Sequence, residues 1–104
     1  MGSVVEQVGP RIYRLIGELD ASNVADVGTV LEAELPLSED LTLDLSELTF
    51  VDSMGISLFV TLAQKLEGLG KLILFSPDHS VRRVLELVGL DDRVNVEISG
   101  SPSE

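Results

Sequence analysis

Between Leu41 and Leu66 the apolar pattern changes period once, and that change constrains the fold more than any other feature of the chain. Leu41-Thr42-Leu43-Asp44-Leu45 alternates strictly, as a strand with one apolar face does. A short irregular passage follows. Beyond Asp52-Ser53-Met54-Gly55 the apolar residues recur at Ile56, Phe59, Val60, Ala63 and Leu66, which is a helical stripe. A strand that feeds directly into a helix is half of a β-α-β unit. If the unit repeats, the strands become parallel and the crossovers right-handed.

It does repeat. Upstream, residues 4–8 (VVEQV) and 11–18 (RIYRLIGE) read as two strands, with Ile12, Leu15 and Ile16 available to the core. The short Gly9-Pro10 break between them suits an antiparallel pair. Cap-forming residues at 19–23 lead into a helix predicted over 23–35, whose stripe is Val24, Val27, Leu31 and Leu35. Gly28 weakens it by roughly 1 kcal/mol relative to alanine, and Pro36 lies past its end. Downstream, Gly68 and Gly70 end the second helix, and residues 71–75 (KLILF) read as a strand covered on both faces. Ser76 is the expected N-cap of a third helix, with Pro77 at its first position. Val81, Val84, Leu85 and Val88 form its stripe, Gly89 its C-cap, and Leu90 a contact beyond it. A last strand alternates Val94, Val96 and Ile98 with Asn95 and Glu97. The expected order is β-β-α-β-α-β-α-β: an α/β fold with a mixed sheet and helices packed on it. One domain is expected over residues 1–104, with a core at about 4–98 and a disordered tail at 99–104.

Composition narrows the function. The chain has 18 acidic and 7 basic residues, a formal net charge of −11. That argues against nucleic acid and against anionic membrane surfaces, which need clustered cations. It favours encounter with a basic protein surface, or simply keeps a small domain soluble. There is no cysteine, so disulfides and thiolate chemistry are out. No apolar run is long enough to span a bilayer, and no basic segment precedes an apolar stretch as in a secretory signal. A cytoplasmic, monomeric protein is expected.

In such a fold the strand-to-helix loops leave the sheet at one rim, where α/β proteins bind ligands. The loops here are Asp20–Asn23, Asp52–Gly55 and Ser76–His79, so Ser53 is expected in the middle of three loops with Asp20 and Asp78 as neighbours. At a helix start, Ser53 is either an N-cap, worth about 1 kcal/mol, or an acceptor for a negatively charged group. A phosphoryl group would add about −1.5 to −2 charges, and the amides near Gly55 and Ile56 would partly hold it. Asp20 and Asp52 would repel it, so the change should fall on the surface more than on the fold. Met54, beside the small residues Gly55 and Ser57, is a candidate for exposure on a flat patch that a partner covers.

Three stretches carry a family resemblance: Gly17-Glu18-Leu19-Asp20, the segment LDLSELTFVDSMGI from Leu43 to Ile56, and KLILFSPDHSVRRVLELVGL from Lys71 to Leu90. Over roughly residues 4–98 the chain resembles the STAS domain family, and specifically its single-domain bacterial anti-sigma factor antagonists. The resemblance implies a partner-switching regulator of transcription, of the kind used in stress responses and sporulation. Such a protein, when unphosphorylated, binds an anti-sigma factor that is also a serine kinase of the histidine-kinase-like ATPase type, and so frees the sigma factor. The kinase spends ATP to phosphorylate the serine that corresponds to Ser53, and a PP2C-type phosphatase reverses it. The family's loop aspartate maps to Asp20, and the aspartate before the phosphoserine maps to Asp52. Asp20, Asn23, Asp52, Met54, Gly55, Ser76 and Asp78 are the expected partner-binding residues. Many members carry Ser or Thr where this chain has Met54, and many have a final helix after the last strand, which is expected to be short or absent here. STAS domains also serve as unphosphorylated adaptors, in lipid-transport ABC systems or stress-signalling scaffolds, which is the alternative reading.

An enzyme is not expected, nor a cofactor or metal of the chain's own. His79 is the only histidine and lies at a helix start, where it reads as solvated or capping. There is no GxxxxGK[ST] loop. Asp20, Asp52 and Asp78 read as capping aspartates rather than Mg²⁺ ligands. A phosphoaspartate receiver would want a lysine after a late strand, and VNVEI is followed by none. Arg82 and Arg83 read as the solvent face of the last helix.

Overall fold

In the computed structural model, residues 4–33 and 39–100 are described. The elements are β1 (Val4–Gly9), β2 (Ile12–Leu19), α1 (Val24–Glu32), β3 (Leu41–Val51), α2 (Ser53–Leu66), β4 (Leu72–Phe75), α3 (His79–Leu87) and β5 (Val96–Ser99), with a 3-10 turn at Leu90–Asp92. Leu35 and Pro36, assigned to the end of the first helix, lie outside the described residues.

The strands form a five-stranded sheet in the order β1-β2-β3-β4-β5. β1 and β2 are antiparallel, and the three later pairings are parallel. This is the expected mixed sheet, and each parallel pair brackets one helix. Leu41, Leu43 and Leu45 are fully buried while Thr42 and Asp44 are only half-buried. The apolar faces of α1 (Val27, Leu31), α2 (Leu58, Phe59, Leu62, Ala63, Leu66) and α3 (Val81, Leu85) all join the core over that same sheet face. The fold is therefore two layers, with the helices on one side.

That layering corrects three expectations. On β2 the core residues are Tyr13, Leu15 and Leu19, whereas Ile12 is exposed and Ile16 half-buried. A strand turns every second residue inward, so Leu15 selects the odd positions and rejects both isoleucines. On β4, Leu72 and Leu74 are buried but Ile73 is half-buried and Phe75 is exposed; the second face of the strand is uncovered. On α2 the inward line is centred on Phe59, Leu62 and Leu66, while Ile56 and Val60 sit half-buried at its border.

β3 is also longer than its alternating stretch. Past Leu45 it continues to Val51, keeping pace with β2 through two register irregularities. The second falls between Gly17 and Glu18, and Gly17 has φ +94°, a conformation that only glycine adopts cheaply. The Thr49 hydroxyl donates to the Gly17 carbonyl across this kink, at 3.0 Å.

Two buried polar residues, one before β2 and one before β5, hold the chain together at the end of the sheet where β3 and β4 begin. Arg11 is buried and donates to the carbonyls of Asp40 (2.9 Å) and Glu39 (2.6 Å), fixing the entry to β3. Asn95 is buried, whereas Val94 is 92% exposed, so the strand starts at Val96 and the alternation expected from Val94 does not hold. The Asn95 amide donates to the Ala63 carbonyl (2.8 Å) in the last turn of α2, where the helix has no partner of its own to offer, and to Gly70 (3.3 Å). Asn95→Ala strands these carbonyls and should cost about 1–3 kcal/mol. For a domain of this size that is a fall in melting temperature of roughly 5–15 °C, measurable by calorimetry; an unchanged melting temperature would sink this account. Of the tail expected at 99–104, Ser99 belongs to β5 and the Gly100 carbonyl accepts a bond from Arg82 (3.2 Å), and the remainder lies outside the described residues.

Candidate functional site

Ser53 is the first residue of α2, not its cap. The cap is Asp52, whose Oδ1 accepts from the amides of Met54 (2.9 Å) and Gly55 (3.1 Å). This leaves the serine hydroxyl with nothing to do for the helix. Ser53 is exposed, and among the described residues nothing hydrogen-bonds its side chain. The amides expected to receive a phosphoryl group are already taken, Gly55 by the Asp52 carboxylate and Ile56 by the Asp52 carbonyl (3.0 Å). An anion on Ser53 therefore stays on the surface unless it displaces the cap.

Asp52 also ties two loops together. Its Oδ2 accepts from the Ala21 amide (3.3 Å), and its own amide donates to Leu19 (3.1 Å). Within the neighbouring loop, Asp20 accepts from the Ser22 hydroxyl (2.6 Å) and amide (2.9 Å). The Ser22 hydroxyl, and then its amide, hold the Asp20 carboxyl below the usual carboxylate range, so it is ionised at neutral pH. Asn23 stands at the cap position of α1 but makes no capping bond. Its side chain instead accepts from the Asp20 amide (3.1 Å) and donates to the Glu18 carbonyl (2.8 Å), closing the loop on itself.

The third loop does not sit level with these two. β4 pairs with β3 only as far as Phe75↔Asp44, whereas β2 follows β3 to Leu19↔Val51, seven residues further (51 − 44). The rim is stepped, and Asp78 is not in the Asp20–Asp52 hydrogen-bond network. Asp78, rather than Ser76, caps α3: its Oδ1 accepts from the Val81 amide (2.9 Å) and the Ser80 hydroxyl (3.0 Å). Ser76 is buried with φ +57°, and its amide donates to the Ser99 carbonyl (2.6 Å). A residue in that left-handed conformation redirects the chain out of β4 before a helix can start, which is why the cap falls two residues later. Among the described residues no three acidic or histidine side chains gather as they would around a metal ion.

Around Ser53 the surface is apolar as well as acidic. Met54 is 47% exposed and Phe50 is 49% exposed. Gly55, expected as part of a flat patch, is buried; a Cβ there would lie 2.5 Å from Val51 Cγ2 and 3.0 Å from the Leu19 carbonyl. Phe50 went unnoticed in the sequence, because the pattern past Leu45 breaks and no period says which way it points. α3 leans along this end of β3, leaving a groove of about 90 Å³ between Thr49, Phe50 and Val51 on one side and Ser80, Val81 and Val84 on the other.

The structure is thus a five-stranded mixed sheet with its helices on one face, whose second helix presents an exposed serine beside an aspartate-bearing loop. The chain belongs to the STAS domain family, which matches residues 3–101. It is 30% identical over 83 residues to the anti-sigma-B factor antagonist of Listeria monocytogenes, an alignment covering 78% of this chain and 73% of that one. Its fold is similar to that of a Thermotoga maritima protein described as a candidate anti-sigma factor antagonist (TM-score 0.72, 23% identity, 93% and 86% of the two chains). It is also similar to SpoIIAA, an anti-sigma factor antagonist and Bacillus cell fate determinant. That protein has been solved unphosphorylated (TM-score 0.63, 20% identity, 94% and 87%) and phosphorylated (TM-score 0.62, 22% identity, 94% and 91%).

Proposed function

We propose that this chain is an anti-sigma factor antagonist switched by phosphorylation of Ser53. Unphosphorylated, it binds an anti-sigma factor that is also a serine kinase of the histidine-kinase-like ATPase type, and the sigma factor is released. That kinase phosphorylates Ser53 and the complex weakens; a PP2C-type phosphatase restores it. The chain performs no catalysis and needs no cofactor, since the kinase consumes the ATP. It acts in the cytoplasm, where such partners work.

The observation that carries this reading is Ser53, exposed and with no side-chain hydrogen bond among the described residues, at the head of a helix that Asp52 already caps. Family membership and the Listeria relative support it. A phosphoryl group there brings about −1.5 to −2 charges beside the Asp52 side chain. In water each such unit-charge pair at 4 Å repels by about 1 kcal/mol, which the fold tolerates. A partner that must strip water from the dianion is hit harder. Asp20, Asn23, Asp52 and Met54 meet the partner directly in this reading. Gly55 and Ser76 shape the surface from beneath, and Asp78 sets the start of α3.

The test is incubation with ATP and a cognate kinase-type anti-sigma factor, followed by peptide mass spectrometry. Phosphate is expected on the peptide containing Ser53, stable to acid and resistant to hydroxylamine. Phosphate only at other residues, or none, would favour an unphosphorylated adaptor and overturn the switch.

A further inference from the structure

We infer that the groove between the end of β3 and α3 is an anchor pocket for one branched aliphatic side chain on a cationic protein surface, that of the kinase partner. The inference rests on the antagonist reading and adds to it where, and by what chemistry, the partner grips.

The groove is lined mostly by apolar side chains. Its walls are Phe50, Val51, Val81 and Val84, and its two hydroxyls are already used, Thr49 on the Gly17 carbonyl and Ser80 on Asp78. Its volume of about 90 Å³ falls short of the roughly 150 Å³ that admits a benzene ring, so an aliphatic side chain fits better than an aromatic one. Phe50 and Met54, each close to half exposed, bracket Ser53 in the chain and extend the apolar surface from the groove towards it.

Charge chooses the occupant. The ion pairs among the described residues use Glu6, Glu32, Glu39, Asp44, Glu86 and Glu97. Glu18, which lies opposite Phe50 in the β2–β3 register, and Asp20, Asp52 and Asp78 have no cation beside them in those residues. On the α3 side Arg82 is held by Glu86 (3.2 Å) and the Gly100 carbonyl. The lip on the Ser53 side is thus acidic, with no ion pair among the described residues, in a chain of net charge −11. A second copy would bring like charge to like; a basic surface with a protruding Leu, Ile or Val satisfies both the groove and its lip. A small desolvated pocket ringed by charge is where anchor residues usually sit.

Two variants and one spectrum test this with the same kinase. Val84→Phe fills the groove from α3, and Phe50→Ser removes its wall from β3 without touching α3. Each should weaken binding at least tenfold with the circular dichroism spectrum retained, while Leu87→Ser, at a residue 74% exposed at the far end of α3, should stay within twofold. In methyl-labelled protein the Val81 and Val84 signals should shift on complex formation. If the kinase binds but those methyls stay still and Phe50→Ser binds like the wild type, the anchor pocket is wrong and the antagonist reading survives. If the wild type neither binds the kinase nor is phosphorylated by it, the antagonist reading fails and takes the pocket with it.

Discussion

Gly55→Val should destabilise the domain by about 3 kcal/mol or more and lower its melting temperature by roughly 10–20 °C. The reason is the closeness of α2 to the strands that carry it. A Cβ at Gly55 would stand 2.5 Å from Val51 Cγ2, 3.0 Å from Leu19 Cγ and 3.0 Å from the Leu19 carbonyl oxygen. Val51 is a buried β-branched side chain in a strand, stiff at χ1, and the Leu19 carbonyl accepts the Asp52 amide. Neither moves without loosening the junction that places Ser53. Replacing a glycine within a helix otherwise gains up to about 1 kcal/mol in propensity with alanine, which does not offset a clash of this kind. Gly28 is the control. A Cβ there meets the flexible end of Leu58 at 3.3 Å, so Gly28→Ala should be neutral or slightly stabilising. Equal melting temperatures for Gly55→Val and the wild type would show that the glycine is not required for packing.

The same contrast explains what could be read from the sequence. The expectation held for β3 through Leu45, for Val81 and Leu85 of the α3 stripe, and for the Gly89–Leu90 helix end, where Gly89 has φ +77° and Leu90 is buried; Val84 of that stripe is half-buried and Val88 is 54% exposed. Parallel pairing followed from the alternation of elements. The errors cluster where local chemistry competes. Asp52 and Asp78 cap their helices as capping aspartates should, but they take the place of the serines also considered for it, Asp52 from one residue before Ser53 and Asp78 from two residues after Ser76. The step in the rim depends on strand lengths, since β3 has 11 residues and β4 has 4, and no local signal announces where pairing stops. Asn95 and Arg11 could not be found by polarity, because what buries them is unpaired carbonyls contributed by distant parts of the chain. Phe50 was lost in the irregular run after Leu45, where the register shifts twice and the period of two no longer applies.

Ser53→Asp should weaken binding to the kinase-type anti-sigma factor about 100-fold, near 2.7 kcal/mol, while Ser53→Ala stays within about threefold of the wild type. The fold should scarcely notice either change: the hydroxyl makes no hydrogen bond among the described residues and Asp52 supplies the cap, so both variants should melt within a few degrees of the wild type. This pairing separates three roles for one serine. A capping serine would lose stability in the alanine variant, by about 1 kcal/mol. A serine that hydrogen-bonds the partner would lose affinity equally in both variants. A phosphoacceptor on a surface that must be dehydrated loses affinity only when charge is added, because the alanine removes a hydroxyl with no hydrogen bond among the described residues, whereas the aspartate adds a charge beside Asp52 where the amides of Met54, Gly55 and Ile56 are already bonded. Titration calorimetry with the three proteins decides among them, and equal weakening by alanine and aspartate would end the phosphoswitch account even if Ser53 proved to be phosphorylated.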